Sequence, residues 1–220
     1  MRLTKNRTIQ ALLWAAVVIP LDQTTHFKLL EFGGIPAHKV SASEQGMRIQ
    51  VDKSAMPIVY KFSKPINMKS IDIQLEVDQL LKLDSSQPQG EKGNDDYLFK
   101  VGVVFEGDRR LNAMQRMMAA KWVTELFQMA QEGQGLDHVL FLNAVQDPKI
   151  HKSRRDHPMR PELLKENNVW MIKKTGPHHL VYQFPNAKKV LGLWFSPEGD
   201  DTKSKFQVVL KRVTVGTEDE

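Results

Sequence analysis

The sequence contains no cysteine in 220 residues, which excludes disulfides, thiolate nucleophiles and every cysteine-based zinc or iron–sulfur centre. It also lacks the G-x-S-x-G elbow of acyl-transfer hydrolases, the G-x-x-x-x-G-K-[ST] phosphate loop and the G-x-G-x-x-G dinucleotide fingerprint. Charge of one sign is scarce too. The formal net charge is +5, and Arg2, Lys5 and Arg7 supply part of it, so composition alone does not point to nucleic acid. Long apolar runs are missing beyond the first 25 residues. There, a basic segment (M-R-L-T-K-N-R-T) leads into an apolar one ending at Pro20–Leu21, too short to span a bilayer. That layout is that of a secretory signal or N-terminal anchor at 1–25. It implies a periplasmic or secreted protein that meets the membrane only through that segment.

What is present is alternation. Apolar residues recur with period two in short runs separated by Gly, Pro, Asn, Asp and Ser, predicting strands at 26–32, 37–42, 47–51, 58–62, 70–78, 97–106, 138–144, 169–173, 180–184, 190–195 and 206–215. In the longest of the early ones, Ile71, Ile73, Leu75 and Val77 alternate with Asp72, Gln74, Glu76 and Asp78, which predicts an antiparallel sheet with one solvated face. Leu111, Met114, Met118, Trp122, Leu126 and Met129 instead recur at three- and four-residue steps, predicting one amphipathic helix over about 111–131. Its Met-rich stripe either packs on the sheet or forms a groove for an envelope protein partner. The expected architecture is an antiparallel β-sandwich of the jelly-roll kind, one domain over 26–216, ending in a frayed acidic tail at 217–220.

Two adjacent carboxylates, Asp95 and Asp96, stand directly before the run Y-L-F-K-V-G-V-V-F. Gly90, Gly93 and Asn94 supply turn chemistry in front of them, so one reading is a turn that launches a strand. The other is a site: carboxylates at a strand mouth bind sugar hydroxyls or a hard cation. Calcium is the candidate cofactor. It takes about six to eight oxygens, so Asp95 and Asp96 would need Asp200 and Asp201, with Glu198, from S-P-E-G-D-D-T.

The stretch K-G-N-D-D-Y-L-F-K-V-G-V-V-F resembles the K-G-D-D, aromatic and alternating V-V-F strand of a bacterial family of unknown function. Members are mostly predicted secreted proteins of galactose-binding-like, jelly-roll character. F-K-L-L-E-F-G-G-I-P-A-H-K-V-S-A-S-E-Q-G-M-R-I is similar to that family's opening, and G-L-W-F-S-P-E-G-D-D-T-K-S-K-F-Q-V-V-L-K-R-V-T-V to its closing hairpin. The likeness extends over most of 26–215 and implies a fold rather than an activity.

Aromatic faces stack on sugar rings, which makes Trp170 and Trp194 the candidate platform, with Tyr182 nearby. The loop D-P-K-I-H-K-S-R-R-D-H-P-M-R-P offers Arg154 and Arg155 to an anionic polymer, but no aromatics are interleaved for base stacking. Taken together these features predict an exported module that binds polysaccharide without transforming it. The enzyme alternative is a polysaccharide lyase or hydrolase in which His151 or His157 faces a neutralising arginine. Neither pair of histidines, His151 with His157 nor His178 with His179, has a zinc-site spacing.

Overall fold

Alternation decides which side of each strand is dry, and the computed structural model, which describes residues 15–218, follows it closely. Eleven strands form one continuous hydrogen-bonded sheet: β1 (Ala15–Val18), β2 (Lys28–Leu29), β3 (Lys39–Ser43), β4 (Gly46–Asp52), β5 (Ile58–Val77), β6 (Phe99–Gly107), β7 (Gly135–Val145), β8 (Arg154–Asp156), β9 (Leu164–Met171), β10 (Gly176–Phe195) and β11 (Lys205–Thr217). The order across the sheet is β3-β4-β11-β5-β10-β6-β7-β9-β8, with β1 on β11 and β2 on β5. Every pairing is antiparallel except β7 with β9.

The sheet folds over on itself at β5 and β10. Residues 68–77 of β5 pair with β11 and with residues 176–183 of β10, whereas residues 58–61 pair with residues 192–195, which go on to β6. Runs expected as four separate strands are therefore two strands of 20 residues each. Both prolines fall where the pairing slips: Pro185 between Gln183 and Lys188 on β10, and Pro65 between Lys61 and Ile66 on β5, opposite the shift from Val190 to Gly192. Proline is tolerated at such an irregularity because no ladder hydrogen bond is required of it there.

The two halves face each other across one core. Met47 and Ile49, Ile71 to Leu75, and Val208 and Leu210 from the first layer meet Phe99, Val101, Val103, Leu193 and Phe195 from the second. This is a β-sandwich, and the polar side of residues 70–78 is the more solvated one, as expected. Asp78 accepts from the Gln207 amide at 2.6 Å at the end of that strand. A second, smaller apolar cluster covers the outer face of the second layer: Leu30, Val59, Val104, Leu126, Met129, Leu136, Val139, Phe141, Leu191 and Trp194 belong to it. A register shift between Val190 and Gly192 puts Leu191 on this outer side with Trp194, not with Leu193 and Phe195 as strict alternation predicts.

The single expected helix is two short ones, α1 (Ala113–Met118) and α2 (Lys121–Phe127). Asn112 starts α1 with a capping box, its side chain accepting from the Gln115 amide at 2.8 Å and its own amide donating to Gln115 at 2.9 Å. Ala119 and Ala120 then turn extended, which re-aims the chain so that only α2 reaches the sheet. Val123, Leu126 and Met129 are buried, while Met114, Met117 and Met118 are 68%, 81% and 77% exposed. Gly192 permits this covering: a Cβ there would strike the Tyr60 carbonyl and the Met129 methyl. We expect Gly192→Ala to cost about 1–3 kcal/mol in denaturant unfolding by prising β10 from β5, and a cost near zero would show that the contact relaxes freely.

The basic segment and the first four residues of the apolar one, 11–14, lie outside the described residues. Of the rest, Ala15–Val18 pairs with Thr214–Thr217 of β11, and Ile19 and Leu21 are buried in the main core. Among the described residues no helix is long and apolar enough to cross a membrane.

Candidate functional site: an aromatic cleft with a buried ion pair

Consecutive residues of an extended chain point to opposite sides, and that simple rule separates Asp95 from Asp96. Asp96 turns inward and is fully buried. Its carboxylate accepts from the Thr202 amide and hydroxyl, both at 2.6 Å, and from the Asp201 amide at 3.3 Å. Thr202 passes the chain of bonds to Ser204 at 2.6 Å, whose hydroxyl oxygen accepts from the Lys82 amide at 2.9 Å. Asp96 is thus the clasp that fastens the 200–204 loop to the start of β6. Asp201 fastens it from the other side, accepting from the amides of Gly93 and, at 2.9 Å, Asp95.

The turn in front is built as its residues demand. Gly90 and Gly93 have φ of +97° and +88°, a region glycine enters without strain. The Asn94 side chain is buried among the backbone of this turn, accepting from the Asp84 amide at 2.9 Å and donating to the Asp84 and Gln87 carbonyls at 3.0 Å.

These bonds also answer the calcium expectation. Asp96 lies beside Asp200 and Asp201 while Asp95 faces Arg155, and Asp96 and Asp201 spend carboxylate oxygens on loop amides. Among the described residues no three acidic or histidine side chains converge as a cation site would require.

Asp95 points the other way, toward Arg155, whose guanidinium donates to it at 2.7 Å. The same guanidinium donates to the Glu166 carboxylate and the Gly90 carbonyl, and lies 3.4 Å from the Tyr97 hydroxyl. Arg155 is therefore an internal tie rather than part of an exposed basic grip. Arg154, its neighbour on β8, faces solvent, so the two arginines cannot act on one polymer from one side.

Beside this network a cleft of about 380 Å³ opens on the outer face of the second layer. Phe32, Trp122, Phe141 and Trp194 wall it, with Trp194 centred 5.7 Å from Trp122 and 5.3 Å from Phe141 in edge-to-face contacts. Trp194 is buried and its indole N–H has no partner, while Trp122 is half-buried and keeps part of its ring open. Trp170, the other expected platform, is elsewhere: it sits in the main core and donates to the Val181 carbonyl at 2.9 Å. Inter-sheet packing claims it.

The polar groups of the cleft are Asp95, Lys100, His157, Arg160, Glu198 and Asp200. Lys100 interrupts the apolar outer face of β6 and forms a 2.6 Å ion pair with Glu198, both side chains about nine-tenths buried. Its ammonium also lies 5.0 Å from the centre of the Phe141 ring. The other Glu198 oxygen accepts from the Ser196 hydroxyl at 3.0 Å. His38 braces this loop by bonding the Pro197 carbonyl at 2.9 Å and Ser54 at 2.8 Å, and burial drives its pKa down to about 4, against the pull of the Pro197 bond.

Burial is the largest influence on three carboxyls of the site. It raises Glu198 to about 7 even with Lys100 alongside. Asp200 rises to about 6, from burial first and then from the neighbouring Asp96 charge. Asp95 is also raised by burial, with Lys100 and Arg155 opposing. Burial alone would lower Lys100, but Glu198 and Glu166 outweigh it and hold the ammonium charged.

No protein-family model matches the chain, and no curated protein matches it. Among solved structures it is similar to a xylan-binding module, CBM15, at 10% identity and a TM-score of 0.42, over 94% of this chain and 99% of that one. It is also similar to PfGH50B, at 10% identity and a TM-score of 0.36, over 93% of this chain but 24% of that one. A third likeness is to the apo Crh5 transglycosylase, at 10% identity and a TM-score of 0.30, over 92% of this chain and 90% of that one.

Proposed function

We propose that this protein is an exported module that binds carbohydrate in the cleft between α2, β6, β7 and the 196–200 loop. One observation carries the reading: aromatic rings and ionisable groups share a single concave surface. A sugar ring has an apolar face and a polar rim, and such a wall meets both at once, the face on Trp122 and the hydroxyls on Asp95 and Asp200. Lys100 and Glu198 are held rigid by each other, so they present fixed polar atoms at little conformational cost.

The test is thermal unfolding of the full chain with a panel of neutral and acidic oligosaccharides. A ligand that binds only the native state raises the midpoint by mass action. We expect a rise with at least one glycan that shrinks sharply in Trp122→Ala and in Asp95→Asn, with no dependence on calcium or chelator. A rise that persists in both variants would move binding away from the cleft.

A second reading is favoured by Glu198 and Asp200, carboxyls raised toward neutrality in the same cleft as an ionised partner, which is the arrangement glycoside cleavage uses for its acid and base. Release of reducing ends from a glycan that also raises the midpoint, abolished in Glu198→Gln, would establish it.

A further inference from the structure

A second cavity, about 420 Å³, lies on the far side of α2 and shares no lining residue with the cleft. Arg109 and Arg110 just beyond β6, Arg116 from α1 and residues 131–135 line it, with Phe127 of α2 as its apolar side. Three guanidiniums in one concavity repel one another unless something neutralises them. Among the described residues none of the three forms an ion pair, although Glu132 lines the same cavity.

Two of the arginines are held in place. Arg110 donates to the Gly133 carbonyl, and Arg116 Nε donates to the Leu111 carbonyl at 3.1 Å. Each bond engages one nitrogen and leaves the rest of a five-donor fork free. The wall they belong to is fixed as well: Arg109 and Leu136 exchange backbone bonds at 3.1 and 3.0 Å, and a Cβ at Gly135 would collide with the Arg109 carbonyl. Donors in excess of acceptors describe the complement of an oxyanion.

We infer that this cavity is a second binding site, taking an oxyanion group: carboxylate, sulfate or phosphate. Arg109 and Arg116 grip the anion. The inference does not rest on the cleft: it stands if the cleft binds no glycan, and it predicts different variants.

The experiment titrates the full chain with glucuronate, with inorganic phosphate and with glucose at low ionic strength, followed by amide chemical shifts. Glucuronate and phosphate are expected to saturate with shifts clustered on residues 109–116 and 131–135, and glucose to leave those signals in place. Arg109→Gln/Arg116→Gln should weaken both anions at least tenfold, whereas Asp95→Asn should leave them unchanged. Because both substituted side chains are exposed, the unliganded variant should melt within a few degrees of the parent. Glucuronate binding tighter than phosphate identifies a carboxylate ligand; phosphate binding as tightly or more tightly identifies a phosphoryl group. Equal affinity of parent and double variant, shifts elsewhere, or an equal response to glucose would overturn the assignment.

Discussion

Asp96→Ala is expected to lower unfolding free energy by about 3–5 kcal/mol, whereas Asp95→Asn, one residue away, should cost about 1 kcal/mol or less. Removing the Asp96 carboxylate strands two backbone amides, the part-buried one of Asp201 and the buried one of Thr202. The Thr202 hydroxyl alone has a second partner, Ser204. Asp95, being part-exposed, loses mainly one ion pair with an arginine that keeps Glu166. Urea unfolding of the two variants measures the contrast. Equal costs would mean that the 200–204 loop is not fastened through Asp96.

The second large effect concerns Lys100 and Glu198. Lys100→Met leaves a buried carboxylate without its cation and should cost about 3–5 kcal/mol above neutral pH, while Lys100→Met/Glu198→Met should be neutral or stabilising. A site kept for binding predicts that the apolar pair folds better and binds worse. The pH profile gives an independent reading. Glu198 has a folded pKa of about 7 against 4.5 in the unfolded chain, so its favourable contribution is complete below about 4.5 and is lost as pH rises through 7. The loss amounts to about 3 kcal/mol and should be absent in Glu198→Gln. A stability profile from pH 4.5 to 7.5 that is identical in parent and variant would show that Glu198 ionises as freely in the fold as out of it.

Strand positions were legible because each buries one face, and alternation is a local property that any reader of Ile71 to Val77 can see. Continuity was not. Pro65 and Pro185 look like terminators in sequence, and only the cross-strand pairing shows that β5 and β10 run past them. Strand β1 was hidden for a different reason: a short apolar run after basic residues reads equally as a leader and as a strand in a dry sheet. The parallel pairing of β7 with β9 left no sequence mark. The helix was half legible, since Met114 and Met118 keep helical spacing with Trp122 but α1 buries nothing.

In the site, the adjacent aspartates stand out in sequence while their division of labour does not, because it depends on Arg155, 60 residues from Asp95, and on Asp201 and Thr202, 105 and 106 residues from Asp96. The best missed signal was Lys100, a charge inside F-K-V-G-V-V-F where both neighbours are buried, since a lysine rarely enters such a place without a partner. The partner, Glu198, reads in sequence only as a possible cation ligand. The helical stripe accounts for Trp122 in sequence, and nothing there reveals that the ring also walls the cleft.

The two strands that run through both layers have a mechanical consequence. In a sandwich whose sheets are joined only by loops, one sheet can peel away while the other survives. Here, separating the layers means breaking β5 and β10 at their midpoints, because each strand belongs to both. The layers therefore have no independent unfolding route, and the cleft on one outer face shares the fate of the solvated strands on the other. Loosening at the Pro65 and Pro185 bends would be felt on both sides of the molecule at once, so the local flexibility available to a bound ligand is confined to the loops and to α1.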